Sequence, residues 1–113
     1  MLRPSEALLN LLKEHDEKIV FAESCTAGLV SATMAEIPGV SAHLCGSFVT
    51  YRAQQKIDIL GVPPWMVEEC TTESVEMASE MAIRAFFKSV EANFAAAIVG
   101  HLGPNAPPEK DGK

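Results

Sequence analysis

The sequence has little positive charge, and what it has is scattered. Nine Lys and Arg residues stand against 15 Asp and Glu residues, which gives a formal net charge of −6 at pH 7. Proteins that bind nucleic acid draw affinity from clustered basic side chains that displace counterions from phosphates, and no such cluster is present. We therefore expect no nucleic-acid partner. A basic membrane-binding patch is excluded on the same ground.

Cysteine and histidine are also scarce, with three residues of each. Cys25, Cys45 and Cys70 are widely spaced and odd in number, which is typical of a reducing compartment rather than of a disulfide framework. No Cys-x-x-Cys pair occurs and the histidines are equally dispersed, so the spacings that mark a zinc site are missing. The sequence predicts neither a bound metal nor a cofactor.

Long apolar runs are missing as well. The longest stretch without a charged residue, 92–108, is interrupted by Asn, Gly, His and Pro, so no segment is suited to span a bilayer. The N-terminal apolar stretch is broken by Asn10 and Lys13 and has no small-residue cleavage site after it, which argues against a signal peptide. We expect a cytoplasmic protein with no membrane partner.

What the sequence does have is a globular composition in a short chain of 113 residues, 48% hydrophobic and 21% charged. This length corresponds to a single domain, residues 1–113, with one core. A domain this small buries a limited share of its surface, so contact between copies would add stability. We expect a homo-oligomer.

Short β-rich runs alternate with segments of helical spacing. The strands are predicted at 18–22, 45–51 and 94–99, and the helices at 5–14, 27–36, 53–60, 65–70 and from 74 to about 90. The longest helix carries an apolar stripe that is predicted to face the core: Ala78, Met81, Ala82, Ala85, Phe86 and Val90. Strands separated by helices predict a three-layer α/β/α sandwich with a mainly parallel or mixed sheet.

Polar segments follow each of the three predicted strands, at 23–26, 51–56 and 100–104. In an open α/β sheet, ligands collect where the carboxyl ends of the strands meet, because helix starts and chain-reversing loops present free N–H groups there. The sequence therefore predicts a binding or catalytic site at this edge.

Ser24 is the best candidate for a nucleophile within that site. It lies where a strand turns into a helix, which exposes a hydroxyl beside unpaired N–H groups that can hold an oxyanion. The alternative, at about even weight, is that Ser24 only caps the helix. Cys25 is a competing nucleophile, since helix N-termini lower thiol pKa values, but an inward-packed thiol is favoured.

The other polar side chains each have a catalytic and a plain interpretation. Lys56 would need a lowered pKa to act as a base, and a solvated surface lysine is favoured. Tyr51 is more often a core or rim residue than a proton relay. Glu23 follows a buried strand and must have partners, so a structural brace is the favoured interpretation. His101 lies in a loop, where histidines usually face solvent.

One segment carries a family resemblance. Residues 22–32, Ala-Glu-Ser-Cys-Thr-Ala-Gly-Leu-Val-Ser-Ala, resemble the A-E-S-C-T-G-G-L-V-A-A signature of the CinA C-terminal domain, the nicotinamide-nucleotide amidase family. The match continues through 37–42, through 48–51 to Lys56, and through 60–62. It covers nearly the whole chain from Ile19 onward.

The resemblance implies an α/β/α sandwich that hydrolyses the carboxamide of nicotinamide mononucleotide to nicotinate mononucleotide and ammonia, without metal. It implies that Ser24 is the nucleophile and that Tyr51 and Lys56 assist it. Neighbouring positions are assigned to the binding of this small nucleotide substrate or its oxyanion: Glu23, Cys25, Thr26, Gly28, Gly100, His101 and Gly103.

The sequence also departs from the family pattern. Ala27 replaces the first glycine of the signature, and Val99, His101 and Leu102 alter a loop that in the family reads hydroxyl-Gly-Ile-Ala-Gly-Pro. The family's domain continues through one more strand and helix, which this chain lacks. These departures favour the alternative function, a non-catalytic CinA-like module that binds a nucleotide or a protein partner.

Overall fold

Three parallel strands form the centre of the fold. In the computed structural model, which describes residues 2–100, they are β1 (Ile19–Glu23), β2 (Leu44–Val49) and β3 (Phe94–Ile98), arranged in the order β2-β1-β3. β1 pairs in parallel with both neighbours. All five residues of β1 are buried. Such burial is typical of a parallel strand that helices cover on both faces.

Within residues 2–100, five α-helices surround the sheet: α1 (Pro4–His15), α2 (Leu29–Ala35), α3 (Ala53–Leu60), α4 (Pro64–Glu69) and α5 (Val75–Lys88), with a 3₁₀ turn at Val40–Ala42. Local signals explain their limits. Proline occupies the first turn of α1 and of α4, where no N–H is required. The Ser74 hydroxyl caps α5 by accepting from the Met77 N–H at 3.0 Å, and Gly61 ends α3 at a φ of 75°.

The alternating side chains of β1 serve two cores, one on each face of the sheet. Val20 and Ala22 pack with the helices of the α3–α5 layer, and Ile19 and Phe21 pack with α1 and α2. The helices contribute these buried residues: Leu60, Met66, Met77, Met81 and Ala85 on one face, and Leu9, Leu12 and Met34 on the other. The predicted three-layer α/β/α sandwich is confirmed, and its sheet is parallel throughout.

Several predicted limits differ from the structure by one or two residues, and β2 ends at Val49 instead of residue 51. Helix α2 begins at Leu29 instead of residue 27, because Ala27 and Gly28 have φ values of 51° and 101° and form a turn. Val90 is fully exposed, so its predicted place in the core is wrong. The chain leaves α5 at Ser89, whose backbone is extended, and Val90 therefore lies beyond the helical periodicity on which the prediction rested.

Hydrogen bonds beyond the strands hold their carboxyl ends together. The Ser24 N–H donates to the Ile98 carbonyl at the end of β3, and the Thr50 N–H donates to the Glu23 carbonyl, both at 2.9 Å. The residues that follow all three strands therefore meet at one edge of the sheet. None of the helices in residues 2–100 is long and apolar enough to cross a membrane.

Candidate active site

Glu23, the last residue of β1, is a buried carboxylate with four hydrogen-bond donors. It accepts from the hydroxyls of Thr26 and Ser47 at 2.7 and 2.8 Å, and from the N–H groups of Val30 and Ser31 at 2.9 and 3.0 Å. Burial alone would raise the pKa of Glu23, but these four hydrogen bonds outweigh it and lower the pKa from 4.5 to about 2. Glu23 is therefore ionised at neutral pH.

This arrangement makes Glu23 a brace. Its carboxylate occupies the free N–H groups at the start of α2, the position at which a capping side chain would otherwise act. The side chain is 0% exposed, which leaves no surface for a substrate to contact. We therefore replace the substrate-binding assignment of Glu23 with a structural one. Ser24 is not the cap either, because the N-cap position of α2 is Gly28.

Ser24 instead makes contact with a buried lysine. The Lys56 Nζ on α3 donates to the Ser24 Oγ at 3.0 Å and to the Thr50 carbonyl at 2.8 Å. Lys56 is 1% exposed and Ser24 is 6% exposed, so the favoured prediction of a solvated Lys56 is wrong. Burial lowers the pKa of Lys56, while the negative charge of the Glu73 carboxylate opposes that change. A serine hydroxyl and an amine shifted towards its neutral form thus lie side by side.

The turn that follows Ser24 presents backbone donors. Within it, the Ala27 N–H donates to the Ser24 carbonyl and the Leu29 N–H to the Thr26 carbonyl, each at 3.0 Å. Among the hydrogen bonds of residues 2–100, the N–H groups of Cys25, Thr26 and Gly28 have no acceptor. Since the helix N–H groups are taken by Glu23, these turn N–H groups are the available donors for an oxyanion.

Of the remaining candidate residues, Cys25, Gly100 and Tyr51 lie within the described part of the chain. The Cys25 thiol is half-buried against the end of β3, and a Cβ at Gly100 would lie 3.2 Å from its Sγ. Tyr51 is 65% exposed at the rim, and the hydrogen bonds described for Ser24 and Lys56 do not include it. His101 and Gly103 lie outside the described residues.

Two contributors to this site were missed in the sequence. Thr50 acts through its backbone carbonyl, which no side-chain pattern reveals. Glu73 precedes α5 and influences Lys56 electrostatically, although 17 positions separate them along the chain. Its acidic residue type in a predicted loop is typical of solvated surface, so only the folded arrangement identifies it.

Comparison with known proteins identifies the family. Residues 3–112 match the CinA C-terminal domain. The chain belongs to this family. A CinA-like protein from Fervidobacterium nodosum is 41% identical over 105 residues, which are 93% of this chain and 26% of that protein. A CinA-like protein from Prochlorococcus marinus is 38% identical over 101 residues, or 89% of this chain and 23% of that protein.

Solved CinA structures have the same fold. The competence/damage-inducible protein CihA from Agrobacterium tumefaciens superimposes with a TM-score of 0.87 at 34% identity, over 94% of this chain and 64% of that one. A CinA-superfamily protein from Escherichia coli gives a TM-score of 0.86 at 27% identity, over 96% and 67%. The chain therefore spans about a quarter of the curated relatives and about two thirds of the solved CinA structures.

Proposed function

We propose that this domain hydrolyses the carboxamide of nicotinamide mononucleotide to nicotinate mononucleotide and ammonia, with Ser24 as the nucleophile. The observation that carries the proposal is the 3.0 Å contact between the Lys56 Nζ and the Ser24 Oγ. Burial shifts Lys56 towards the neutral amine, and a neutral amine within hydrogen-bond distance is what the deprotonation of a serine requires. This pair supports the reaction type, and the resemblance of residues 22–32 to the family signature supports the substrate.

In the first half of the reaction, Ser24 Oγ attacks the carboxamide carbon while Lys56 takes the hydroxyl proton. The carbonyl oxygen becomes an oxyanion, and the N–H groups of Cys25 and Thr26, which have no acceptor among the hydrogen bonds of residues 2–100, are the proposed donors to it. The carbon–nitrogen bond then breaks, and the proton held by Lys56 goes to the departing nitrogen, which leaves as ammonia. The product of this half is an ester on Ser24.

In the second half, water attacks the ester and Lys56 accepts a proton from it. Collapse of the second tetrahedral intermediate returns that proton to Ser24 Oγ and releases nicotinate mononucleotide. Tyr51 is at the rim of the site. We propose that its phenol approaches the leaving nitrogen only when substrate is bound, since its relay role requires contact with that group.

The test is ammonia release from nicotinamide mononucleotide by the purified chain and three variants. We expect Ser24→Ala to lose turnover by about 10⁴-fold because the covalent route is removed, and Cys25→Ala to keep most of it. Ser41→Ala, which removes an exposed hydroxyl from the 3₁₀ turn, is the matched control and should be unchanged. Loss of activity in folded Cys25→Ala with full activity in Ser24→Ala would transfer the chemistry to the thiol.

The alternative, a non-catalytic nucleotide- or protein-binding module, is favoured by one observation. Ala27 has a φ of 51°, a left-handed conformation that costs a non-glycine residue about 1 kcal/mol and that the signature glycine would adopt freely. The added methyl group stands in the turn that would hold the oxyanion. Nucleotide binding by calorimetry without ammonia release, in the parent and in Ser24→Ala alike, would select this function.

We further propose that the domain self-associates through β3. Among residues 2–100, β3 pairs with β1 on one side and with no strand on the other, and its five residues carry no charge. Beside it, a groove of about 410 Å³ is bordered by Leu11 and Phe94. Because the strand is uncharged, two copies could pair edge to edge without repulsion. Light scattering at several concentrations tests this, and the mass of one chain throughout would refute it.

We propose a cytoplasmic location as well. Cys25, Cys45 and Cys70 are all free thiols in the structure, as a reducing compartment maintains them, and the proposed substrate is an intracellular nucleotide. Fractionation of cells that express the chain provides the test, with recovery in the soluble cell extract as the expected result.

A further inference from the structure

Thr50, the residue directly after β2, forms backbone hydrogen bonds with both Glu23 and Lys56. Its N–H donates to the Glu23 carbonyl at 2.9 Å, and its carbonyl accepts from the Lys56 Nζ at 2.8 Å. The side chain is 0% exposed. Its hydroxyl oxygen, Oγ1, is the one buried side-chain polar atom within residues 2–100 that has no hydrogen-bond partner.

A buried hydroxyl without a partner is unfavourable, because it has lost its hydrogen bonds to water and gained none in the protein. Valine has nearly the same shape and carries no such group. The backbone contacts of Thr50 would be available to valine as well, so they do not account for the hydroxyl. The contacts in the structure therefore give the hydroxyl no role.

Lys56 has the opposite shortage, a hydrogen-bond donor without an acceptor. A protonated lysine has three N–H donors, and its hydrogen bonds within the described residues account for two of them, to the Ser24 Oγ and the Thr50 carbonyl. At 1% exposure, Lys56 has almost no contact with solvent for the third. An unpaired hydrogen costs more on a charged ammonium than on a neutral amine, so the deficit matters most when Lys56 has taken a proton.

The donor and the acceptor that lack partners belong to two residues that are already in contact. Rotation of Thr50 about its Cα–Cβ bond moves Oγ1 while leaving the backbone bonds to Glu23 and Lys56 in place. Two titratable groups from other parts of the fold lie near enough to influence Lys56, the Glu73 carboxylate ahead of α5 and the Cys25 thiol after β1. Neither lies in α3, which holds Lys56, or in the segment after β2, which holds Thr50.

We propose that Thr50 is a positioning residue whose hydroxyl accepts the third N–H of the Lys56 ammonium, the form that Lys56 takes when it removes the proton from Ser24. The proposal rests on the Ser24–Lys56 chemistry proposed above. Thr50 then supports the base twice, through the carbonyl in both protonation states and through the hydroxyl in the charged state. It touches neither substrate nor oxyanion in this role.

The test is titration of Lys56 by NMR in protein labelled with ¹³C-lysine, with Lys56→Met identifying the resonance. In Thr50→Val the ammonium loses an acceptor, so the midpoint of Lys56 deprotonation should move down by about one pH unit, a tenfold change in the equilibrium constant. Thr50→Ser keeps the hydroxyl and should restore the parental midpoint. Thr33→Val, which removes a half-buried hydroxyl on α2 that donates to the Leu29 carbonyl, is the control.

The melting temperature separates this role from a structural one. At a pH above the midpoint of Lys56 deprotonation, Thr50→Val should melt no lower than the parent, because it removes a hydroxyl that has no partner while Lys56 is neutral. An unchanged midpoint in Thr50→Val, or a Thr50→Ser midpoint that moves with it, would overturn the proposal. The titration needs no substrate, so a parent without amidase activity would refute the proposed function while the role of Thr50 is still decided.

Discussion

Two buried charged groups lie at the same edge of the sheet, and their surroundings differ. Glu23, at 0% exposure, receives four hydrogen bonds, and its pKa falls to about 2, in favour of the charged form. Lys56, at 1% exposure, makes two hydrogen bonds, and burial lowers its pKa, against the charged form. The Glu23 carboxylate therefore has a full set of hydrogen-bond partners, and the Lys56 side chain has too few.

The difference separates a structural charge from a chemical one. A buried ion whose partners are complete is locked in one protonation state, and it stabilises the loop that supplies those partners. A buried ion with too few partners gains or loses a proton easily, as a general base must. In this site the saturated carboxylate shapes the turn after β1, and the unsaturated amine contacts the nucleophile that this turn presents.

Lys56→Met should have the largest effect and tests most directly whether Lys56 differs from Glu23. It replaces the amine with an apolar side chain of similar size. Turnover should fall by about 10³-fold, since the base is lost. Stability at pH 7 should stay equal or rise. A lysine whose pKa is lower folded than unfolded stabilises the fold only above its unfolded pKa, near 10.4, and lowers stability below it.

Ammonia release and thermal melting measure the two effects of Lys56→Met. Lys88→Met removes an exposed lysine at the end of α5 and should change neither. A melting temperature several degrees below the parent would mean that Lys56 is a structural charge like Glu23, and the contrast between them would disappear.

Glu23→Gln should have the opposite profile, with its main effect on stability. An amide cannot accept from four donors, and its NH₂ group would face N–H groups at the start of α2, so we expect a loss of about 3 kcal/mol. Ser47→Ala removes one donor and should cost about 1 kcal/mol, which keeps the prediction testable if Glu23→Gln does not fold. Urea unfolding, with exposed Glu14→Gln as control, measures both.

The pH dependence of stability follows from the same carboxylate. The pKa of Glu23 is lower in the folded protein, about 2 against 4.5, so its contribution is complete above pH 4.5 and is lost as the pH falls towards 2. The parent should therefore lose stability steeply in this window, and Ser47→Ala should lose less. If the acid-unfolding curves of the parent and of Ser47→Ala have the same slope, Glu23 is not the main cause of the loss of stability between pH 4.5 and 2.

The sequence predicts the fold better than the site because the fold depends on patterns that are local along the chain. The apolar run of β1, the Ser74 cap of α5 and the Gly61 end of α3 each act within a few residues of the chain. The failures lie where the periodicity ends. Val90 continues the helical spacing of α5 on paper, but the chain has already left the helix at Ser89.

The candidate site was half predictable for a related reason. That the segments after the three strands converge follows from parallel topology alone, and the structure brings them together. Residue type could not decide whether Lys56 faces solvent or Ser24, because that depends on which face of α3 packs against the sheet. The backbone carbonyl of Thr50 and the distant charge of Glu73 carry no sequence signal at all.

Glu73→Gln should produce the smallest effect. It increases the difference between Glu23 and Lys56, because it removes a negative charge that acts on Lys56. The glutamine keeps an oxygen for the hydrogen bond from the Thr72 hydroxyl but removes the negative charge that raises the pKa of Lys56. The pKa of Lys56 should therefore fall further, and the neutral fraction of Lys56 at pH 7 should increase about threefold.

The rate at which a fluorophosphonate labels Ser24 reports the neutral fraction of Lys56. Glu76→Gln, which neutralises an exposed carboxylate in the first turn of α5, is the matched control. Slower labelling in Glu73→Gln than in Glu76→Gln would show that Glu73 supports the reactive state of Lys56 instead of restraining it.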